Sequence, residues 1–487
     1  MEQVRVKDMV RAAGGTLLYG DGERLLANIR FDSREVERDD LFVPIIGEKV
    51  DAHCFLEQVV GKGAGAVFTS RHTKEEVEEI MQRLEAGREE SSCQEPGLQT
   101  AWVQVENTVY ALQAVGSFLR DRLQVPVIGI TGSVGKTTTR EMTAAALSGE
   151  LFVFQTPGNA NSQVGVPKTI SEIKACHQAV VLELGMSEPG ELTRIAKIAR
   201  PSVAVITNVG IAHMEQLGSK ENICREKLTI QDGLAEGGTL LLNGDDDMLQ
   251  HIRAREGHGY RTLYYGTGEN CDYLARDIKE IDGGLSFTAV FRQECVPVRL
   301  SVPGRHNVWN AMAAIGAAHE AGVSMAAAAA GIRTFSGVEG RQQMIESQGL
   351  TVIDDTYNAS PVSMKASIAI LCGLKGVKRR VAVLADMKEL GADSKELHRD
   401  VGRYLGKSSV DVLVTYGELA GSIAEGAKGG MEKGEGGPEI YEFLNKGEMT
   451  DFLKSLLREG DGILFKGSHS MRLGEIVAYF AGKEDKV

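Results

Sequence analysis

A chain of 487 residues is too long for one compact core, so roughly two to four domains are expected. With 43% hydrophobic and 25% charged residues it reads as globular, and a net charge of −13 offers no broad basic face, which excludes nucleic acid as the main partner. The seven scattered cysteines never fall in Cys-x-x-Cys spacing, so reduced thiols are expected and a zinc site is not; with no signal peptide and no bilayer-spanning stretch, the reading is a cytoplasmic protein.

Near the amino terminus, Asp32-Ser33-Arg34 taken alone is a surface turn. The polar run Leu84 to Pro96 lacks apolar periodicity and is expected to be a surface loop near the edge of a first domain. From about Val105 a second unit begins. Its apolar runs Val127 to Ile130, Ala179 to Leu184 and Val203 to Thr207 alternate with helical patterns at Thr139 to Leu147 and Glu191 to Ala199, which predicts a parallel α/β sheet. Ligands of such sheets collect at the carboxyl ends of the strands.

The first of those runs breaks into Gly132-Ser133-Val134-Gly135-Lys136-Thr137-Thr138. Glycines there let backbone N–H groups converge on phosphate oxygens, the helix start adds positive dipole, Lys136 supplies charge, and the Thr137 hydroxyl can ligate magnesium. The strict Walker spacing fails, because Ile130 stands where the first glycine belongs and Gly129 comes one residue earlier. Glu183 closes the next strand at the same edge, where a carboxylate can complete a magnesium site; a solvated strand-end glutamate is an equal reading of that residue alone. The following strand brings His213 near, and a lone histidine is more often structural than a metal ligand.

Between Tyr264 and Val302 alternation around Asp282-Gly283-Gly284 predicts a small antiparallel patch. After Gly337 the α/β rhythm returns, with strands at Leu350 to Asp354, Arg380 to Leu384, Val410 to Thr415 and Gly462 to Phe465 and a helix from Pro361 to Leu371. The glycine-rich segment Glu425 to Gly437 is expected to be a flexible surface loop. The fold class is therefore α/β in three domains: a small α/β unit at 1–104, a central P-loop-like parallel-sheet unit with its antiparallel patch at 105–337, and a Rossmann-like unit at 338–487.

Gly129-Ile-Thr-Gly-Ser-Val-Gly-Lys-Thr-Thr138, Leu182-Glu-Leu-Gly-Met-Ser187, Thr207-Asn-Val-Gly-Ile-Ala-His-Met-Glu215 and Pro303-Gly-Arg-His-Asn-Val-Trp-Asn310 follow one another in the order and spacing of the Mur ligases, which this chain resembles nearly end to end. Asp32-Ser-Arg34 and Asp40-Leu-Phe-Val-Pro44 resemble that family's nucleotide-sugar domain, and Val338-Glu-Gly-Arg341 the entrance to its last domain. Asp354-Asp-Thr-Tyr-Asn-Ala-Ser-Pro361, Ala385-Asp-Met-Lys-Glu-Leu-Gly391 with His398, and Lys466-Gly-Ser468 resemble the branch that adds D-alanyl-D-alanine to UDP-N-acetylmuramoyl-tripeptide. The branch that adds a single diamino acid is the alternative within the family; a P-loop ATPase without ligase activity is the alternative outside it.

The resemblance implies ATP and Mg2+ as cofactors, an acyl-phosphate intermediate and a role in peptidoglycan synthesis. It implies that Gly132 to Thr138 hold ATP phosphates, that Thr137, Glu183, His213 and Lys227 hold magnesium, Lys227 as a carbamate, and that Lys136, Glu183, His213 and Lys227 serve catalysis. It further implies Asn307 and Asn310 near the adenine, Arg341 near the phosphates and Asp355 near the ribose. Ser33 and Arg34 would meet the UDP moiety, Asn159 and Asn161 the muramoyl peptide, and Tyr357 and Asn358 the nucleotide or dipeptide. In the substrate loop Thr156 to Pro167, Ser162 and Gln163 replace the family's usual Asn and Glu, and His469 stands where arginine is common. A monomer is expected.

Overall fold

The computed structural model describes residues 3–89, 100–211, 213–252, 259–430 and 437–482. Three sheets run through it in chain order. The first has five strands, Thr16–Tyr19, Ala101–Gln104, Ala66–Thr69, Leu41–Phe42 and Ile29–Arg30 from edge to edge. All neighbours pair in parallel except Thr16–Tyr19, which is antiparallel to Ala101–Gln104.

The second sheet has nine strands. Val127–Thr131 lies between Ala179–Glu183 and Val203–Ile206, and parallel pairing continues through Thr239–Asn243 and Arg261–Gly266 to Tyr273–Ile281. Val153–Gln155 pairs in parallel on the outer side of Ala179–Glu183, and Gly284–Phe291 and Glu294–Leu300 complete the sheet at its far edge as the expected antiparallel patch, with the turn at Asp282 and Gly283. Side chains alternate across this sheet, as the pleat requires. Val127, Val180 and Leu182 pack in one core with Leu112, Val115 and Ile195, whereas Ile128, Ile130 and Val181 pack in another with Met312 and Ile315. Burial on both faces explains why these strands read as continuous apolar runs instead of alternating ones.

Helix His306–Glu320 covers the second face and is rich in alanine. A Cβ at Gly316 would come within 3.0 Å of Leu241, so the missing side chain is what lets the helix settle on the sheet. That approach carries Asn307 and Asn310 to the phosphate loop.

The third sheet has six strands, in the order Gln343–Ser347, Leu350–Asp355, Asp461–Lys466, Arg379–Ala385, Val412–Tyr416 and Glu439–Phe443. Only Gln343–Ser347 runs antiparallel to its neighbour.

Two expected loops are corrected. Residues Leu84 to Glu89 belong to helix Lys74–Glu89, because Val77, Ile80, Met81 and Leu84 recur at helical spacing and pack around Trp102; the remainder of that segment lies outside the described residues. Glu425 to Gly430 end helix Gly421–Gly430, and only 431–436 lie outside the described residues. Glycine there serves packing. A Cβ at Gly426 would meet Arg399 O at 2.1 Å and one at Gly402 would meet Ile423 O at 2.0 Å, so the small residues allow this helix to press against helix Ser394–Gly406. No described helix is long and apolar enough to cross a membrane.

Candidate active site

Strand Val127–Thr131 ends at the turn from Gly132 to Gly135, and helix Lys136–Leu147 begins at once. Gly132 and Gly135 have φ of +151° and +84°. A Cβ on Gly132 would sit 1.8 Å from Thr207 Oγ1 and one on Gly135 would sit 2.9 Å from Asn310 Oδ1, so both positions need glycine for space as well as for backbone angle. The next strand end clamps the turn: Ser133 N donates to Asn208 O, Val134 N to Asn208 Oδ1 at 2.9 Å, and Asn208 Nδ2 and Thr207 Oγ1 both donate to Val134 O. No side chain caps the helix start. The first-turn amides, which have no partner within a helix, therefore face the cleft as a fixed anion cradle.

Lys136 Nζ donates to Gly132 O at 2.9 Å. Burial pushes its ammonium pKa down, and Glu183 pulls the other way. Glu183 is 2% exposed, with Oε2 accepting from Thr137 Oγ1 at 2.8 Å and Oε1 from Asn161 Nδ2 at 2.8 Å. The phosphate helix, the strand-end carboxylate and the Thr156 to Pro167 loop are thus joined at one carboxyl group. Two hard oxygen donors in direct contact beside a phosphate cradle fit magnesium, which takes one or two protein oxygens and completes its shell with phosphate and water. No group of three or more His, Cys, Asp or Glu among the described residues is placed to hold a metal ion by itself.

His213, at φ +63°, precedes the short helix Met214–Leu217. Burial and the nearby charges of Lys136 and Lys227 push its pKa down to about 4. Lys227, on helix Lys220–Leu228, is 1% exposed, and burial together with Lys136 lowers its pKa well below the ordinary lysine value. No carboxylate among the described residues comes within ion-pair distance of Lys227, so as a bare ammonium it would be a poorly compensated buried charge.

The opposite wall comes from the third sheet and the segment entering it. A cleft of about 270 Å³ is lined on the central-sheet side by Ser133 to Thr138, Asn161, Glu183, Asn307 and Asn310, and on the other by Arg341, Asp355, Tyr357 and Asn358. Arg341 stacks its guanidinium 3.9 Å over the Tyr357 ring, and burial lowers its pKa. Asn310 Oδ1 accepts from Thr139 Oγ1, and Asn307 Oδ1 from Asn310 Nδ2, so both amides are oriented by the phosphate helix. Asp355 Oδ2 accepts from Lys466 Nζ and from Ser367 Oγ, each at 2.5 Å.

Gly132, Asn159, His213 and Lys227 do not line this cleft, though the charge of Lys136 reaches the last two and that of Lys227 reaches His213. Asn159 is exposed on the Thr156 to Pro167 loop. Ser33 and Arg34 lie far along the chain, after strand Ile29–Arg30 of the first sheet. Arg34 is bonded to Asp32 through Nε and Nη2, and Lys62 Nζ donates to both Ser33 O and Arg34 O, which fixes the turn.

Several residues at the site carried no sequence expectation. Arg140, one helical turn beyond Lys136, is 3% exposed; its Nη1 donates to Gly158 O at 2.7 Å and stands 3.6 Å from Glu183 Oε2. Its i+4 position from Lys136 was the available signal. Asn208 was part of a recognised motif without a role. Lys388, Glu389 and Lys466 likewise fell within recognised motifs without a role, and tertiary folding brings them to the cleft.

Comparison with known proteins bears on this geometry. Residues 130–318 match the Mur ligase middle domain and residues 340–469 match the Mur ligase, glutamate ligase domain. The UDP-N-acetylmuramoyl-tripeptide--D-alanyl-D-alanine ligase of Bacillus subtilis is 36% identical over 476 residues, covering 97% of each chain, and that of Haemophilus influenzae is 32% identical over 94% of each. Among solved structures, MurF from Acinetobacter baumannii aligns with TM-score 0.84 and 30% identity over 98% of both chains. MurF ligase from Thermotoga maritima in complex with ADP aligns with TM-score 0.77 and 27% identity, over 95% of this chain and 98% of that one.

Proposed function

Because the chain belongs to the Mur ligase family, we infer that it is an ATP-dependent ligase joining D-alanyl-D-alanine to UDP-N-acetylmuramoyl-tripeptide, a step of peptidoglycan precursor synthesis. The observation that carries this reading is Glu183, whose single carboxyl group meets both the phosphate-loop Thr137 and the Asn161 of the loop assigned to the muramoyl peptide. A nucleotide in the cradle and a peptide acid on that loop would be neighbours.

A carboxylate is a poor electrophile, so it is first phosphorylated. Its oxygen attacks the γ-phosphorus, ADP leaves, and the acyl phosphate forms. The dipeptide, after its ammonium has lost a proton to solvent, adds to the carbonyl carbon; the tetrahedral intermediate collapses to the amide and expels phosphate. Lys136 and the first-turn amides would hold the β- and γ-phosphates, and Arg341 would meet the charge that builds up on the transferring group. Asn307 and Asn310 would border the adenine and Asp355 the ribose, with Tyr357 and Asn358 beside the dipeptide. Thr137 and Glu183 would hold one Mg2+, and Glu183, His213 and a carbamylated Lys227 a second; magnesium supplies charge neutralisation between the phosphates. Ser33 and Arg34 would take the UDP moiety, arginine being suited to paired phosphate oxygens. Residues 1–104, 105–337 and 338–487 would then be the UDP-sugar-peptide, ATP and C-terminal domains of a cytoplasmic monomer.

Purified protein supplied with ATP and the UDP-muramoyl tripeptide tests the reading. Phosphate release and the expected amide mass should require D-alanyl-D-alanine. Turnover with a single diamino acid but not the dipeptide would replace it with the alternative branch, and ATP hydrolysis indifferent to UDP-muramoyl peptides would leave only a P-loop ATPase.

A further inference from the structure

Two sheets wall the cleft, each with its own core. Helix His306–Glu320 packs on the central sheet through Val308, Met312 and Ile315, and helix Pro361–Gly373 packs on the third through Met364, Ile368 and Leu371. Gln342 spans between these helices. It stands where the chain passes from one sheet to the other, just before strand Gln343–Ser347, and it lines the cleft. Its Oε1 lies 2.7 Å from His306 Nε2, and its Nε2 donates to Ser367 Oγ at 3.1 Å.

The far end of this relay fixes its donors and acceptors. Ser367 Oγ is 2.5 Å from Asp355 Oδ2, and Asp355 is the carboxylate paired with Lys466 Nζ, so it can only accept and the serine spends its proton there. The Ser363 carbonyl is the more distant acceptor, at 2.9 Å. Turning the Gln342 amide over would set its oxygen against a hydroxyl whose proton is already committed. The amide nitrogen therefore faces Ser367, and the amide oxygen accepts from His306 Nε2. Ser367 is fully buried, so water does not compete at the centre of the relay.

The backbone is held to suit. Gln342 has φ +55°, a left-handed angle that a residue with a side chain keeps only when its surroundings hold it there. Arg341 N donates to Val338 O and Tyr357 N to Gly340 O, so the turn leading into Gln342 is pinned beside the strand end that carries Asp355.

His306 directly precedes Asn307 on its helix, and Asp355 stands on the opposite wall. In the reading above these two borders take the adenine and the ribose. Those rings are joined by one covalent bond, so their contacts must keep a fixed spacing although they come from different sheets. We propose that Gln342 is a positioning residue that sets this spacing, tying the helix of Asn307 and Asn310 to Asp355 so that both halves of the nucleoside are met at once. The assignment rests on the ATP reading of the cleft given above.

Calorimetric titration of the full chain with ADP and magnesium tests it. Gln342→Leu removes both hydrogen bonds and should weaken ADP by about tenfold. Gln342→Asn tolerates the left-handed backbone but is one methylene short of spanning both partners, and should weaken ADP by a similar factor. Ser367→Ala cuts the same relay, so the double variant Gln342→Leu, Ser367→Ala should bind ADP within about twofold of Gln342→Leu alone. Inorganic triphosphate, which lacks the nucleoside, should compete with ATP equally well in wild type and Gln342→Leu. Unchanged ADP affinity in Gln342→Leu and Gln342→Asn overturns the assignment. Equal weakening of ADP and triphosphate also overturns it, by making Gln342 a support for Arg341, and so do fully additive losses in the double variant. Wild-type protein that binds no ADP removes the ATP reading of the cleft, and this assignment with it.

Discussion

Thr137 and Glu183 meet across the edge of the central sheet, the hydroxyl donating to the carboxylate at 2.8 Å with both side chains buried. Each belongs to a different element, so their contact aligns the phosphate helix with the neighbouring strand end. Replacing Glu183 with Gln keeps its shape and removes its charge. ATP-dependent amide formation should fall by at least about 100-fold, the scale on which one preorganised electrostatic group acts in a dry site. Thr137→Val should lower activity and raise the magnesium concentration needed for half-maximal rate. Magnesium titrations of the two variants check this; a Glu183→Gln enzyme with unaltered turnover would remove the carboxylate from the metal site.

Lys227 gives a prediction about carbon dioxide. Burial and Lys136 depress its pKa, so a neutral amine is accessible there at neutral pH, and a neutral amine is the form that adds CO2, yielding a carbamate and releasing one proton. The anion produced would suit the site better than an ammonium facing Lys136. Protein prepared in degassed, bicarbonate-free buffer should lose activity and regain it on adding bicarbonate, whereas Lys227→Ala should be inactive in both. Intact-protein mass spectrometry that finds only unmodified lysine in fully active enzyme would refute the modification.

Much of this site could be read from residues in sequence because its chemistry is local. The glycines, Lys136 and Thr137 lie within one turn, and their strand and helix follow from an apolar run and helical spacing. Glu183 was ambiguous alone and took its expected role from the neighbouring motifs; its strand pairs in parallel with Val127–Thr131. Glu389 and Lys466 stand in recognised motifs but received no site role, because they reach the cleft through the order of the third sheet, where Asp461–Lys466 inserts between Leu350–Asp355 and Arg379–Ala385. No local pattern encodes that insertion. The helix at Gly421–Gly430 was misread for a related reason: its glycines record a neighbouring helix, which composition cannot distinguish from a linker.

Lys466 and Asp355 form a buried pair, the lysine side chain 1% exposed and the aspartate 9%. Lys466 Nζ also donates to Asn358 O, so one ammonium ties together the strand end and the turn that borders the cleft. Lys466→Met would leave the Asp355 carboxylate without its cation and should destabilise the protein by about 3–5 kcal/mol, read by urea unfolding. The double variant Lys466→Met, Asp355→Asn should be more stable than Lys466→Met alone, because the uncompensated charge is gone. Equal stabilities would show that Asp355 finds another partner.

His398 makes stability depend on pH with a definite sign. It is fully buried, its Nε2 accepts from Met387 N at 2.9 Å, and its Nδ1 stands 2.6 Å from Ser394 O, an arrangement that needs Nδ1 protonated and Nε2 bare. Burial lowers its pKa below the ordinary 6.5, with the Ser394 contact opposing in part. Above pH 6.5 the folded and unfolded chains are both neutral at this residue, and its contribution to stability is complete. As pH falls below that value the unfolded chain takes up a proton that the folded histidine refuses, so stability is lost progressively until the folded pKa is reached. Protonation would also set an N–H against the Met387 amide and release the segment carrying Lys388 and Glu389. His72, His213 and His306 are likewise lowered by burial and add to the same slope. The melting temperature should therefore fall between pH 7 and pH 5. His398→Gln should start lower at pH 7, because one buried contact is lost, and then fall less steeply over the same interval. Parallel melting curves for the two proteins would mean that His398 is not among the groups setting the slope.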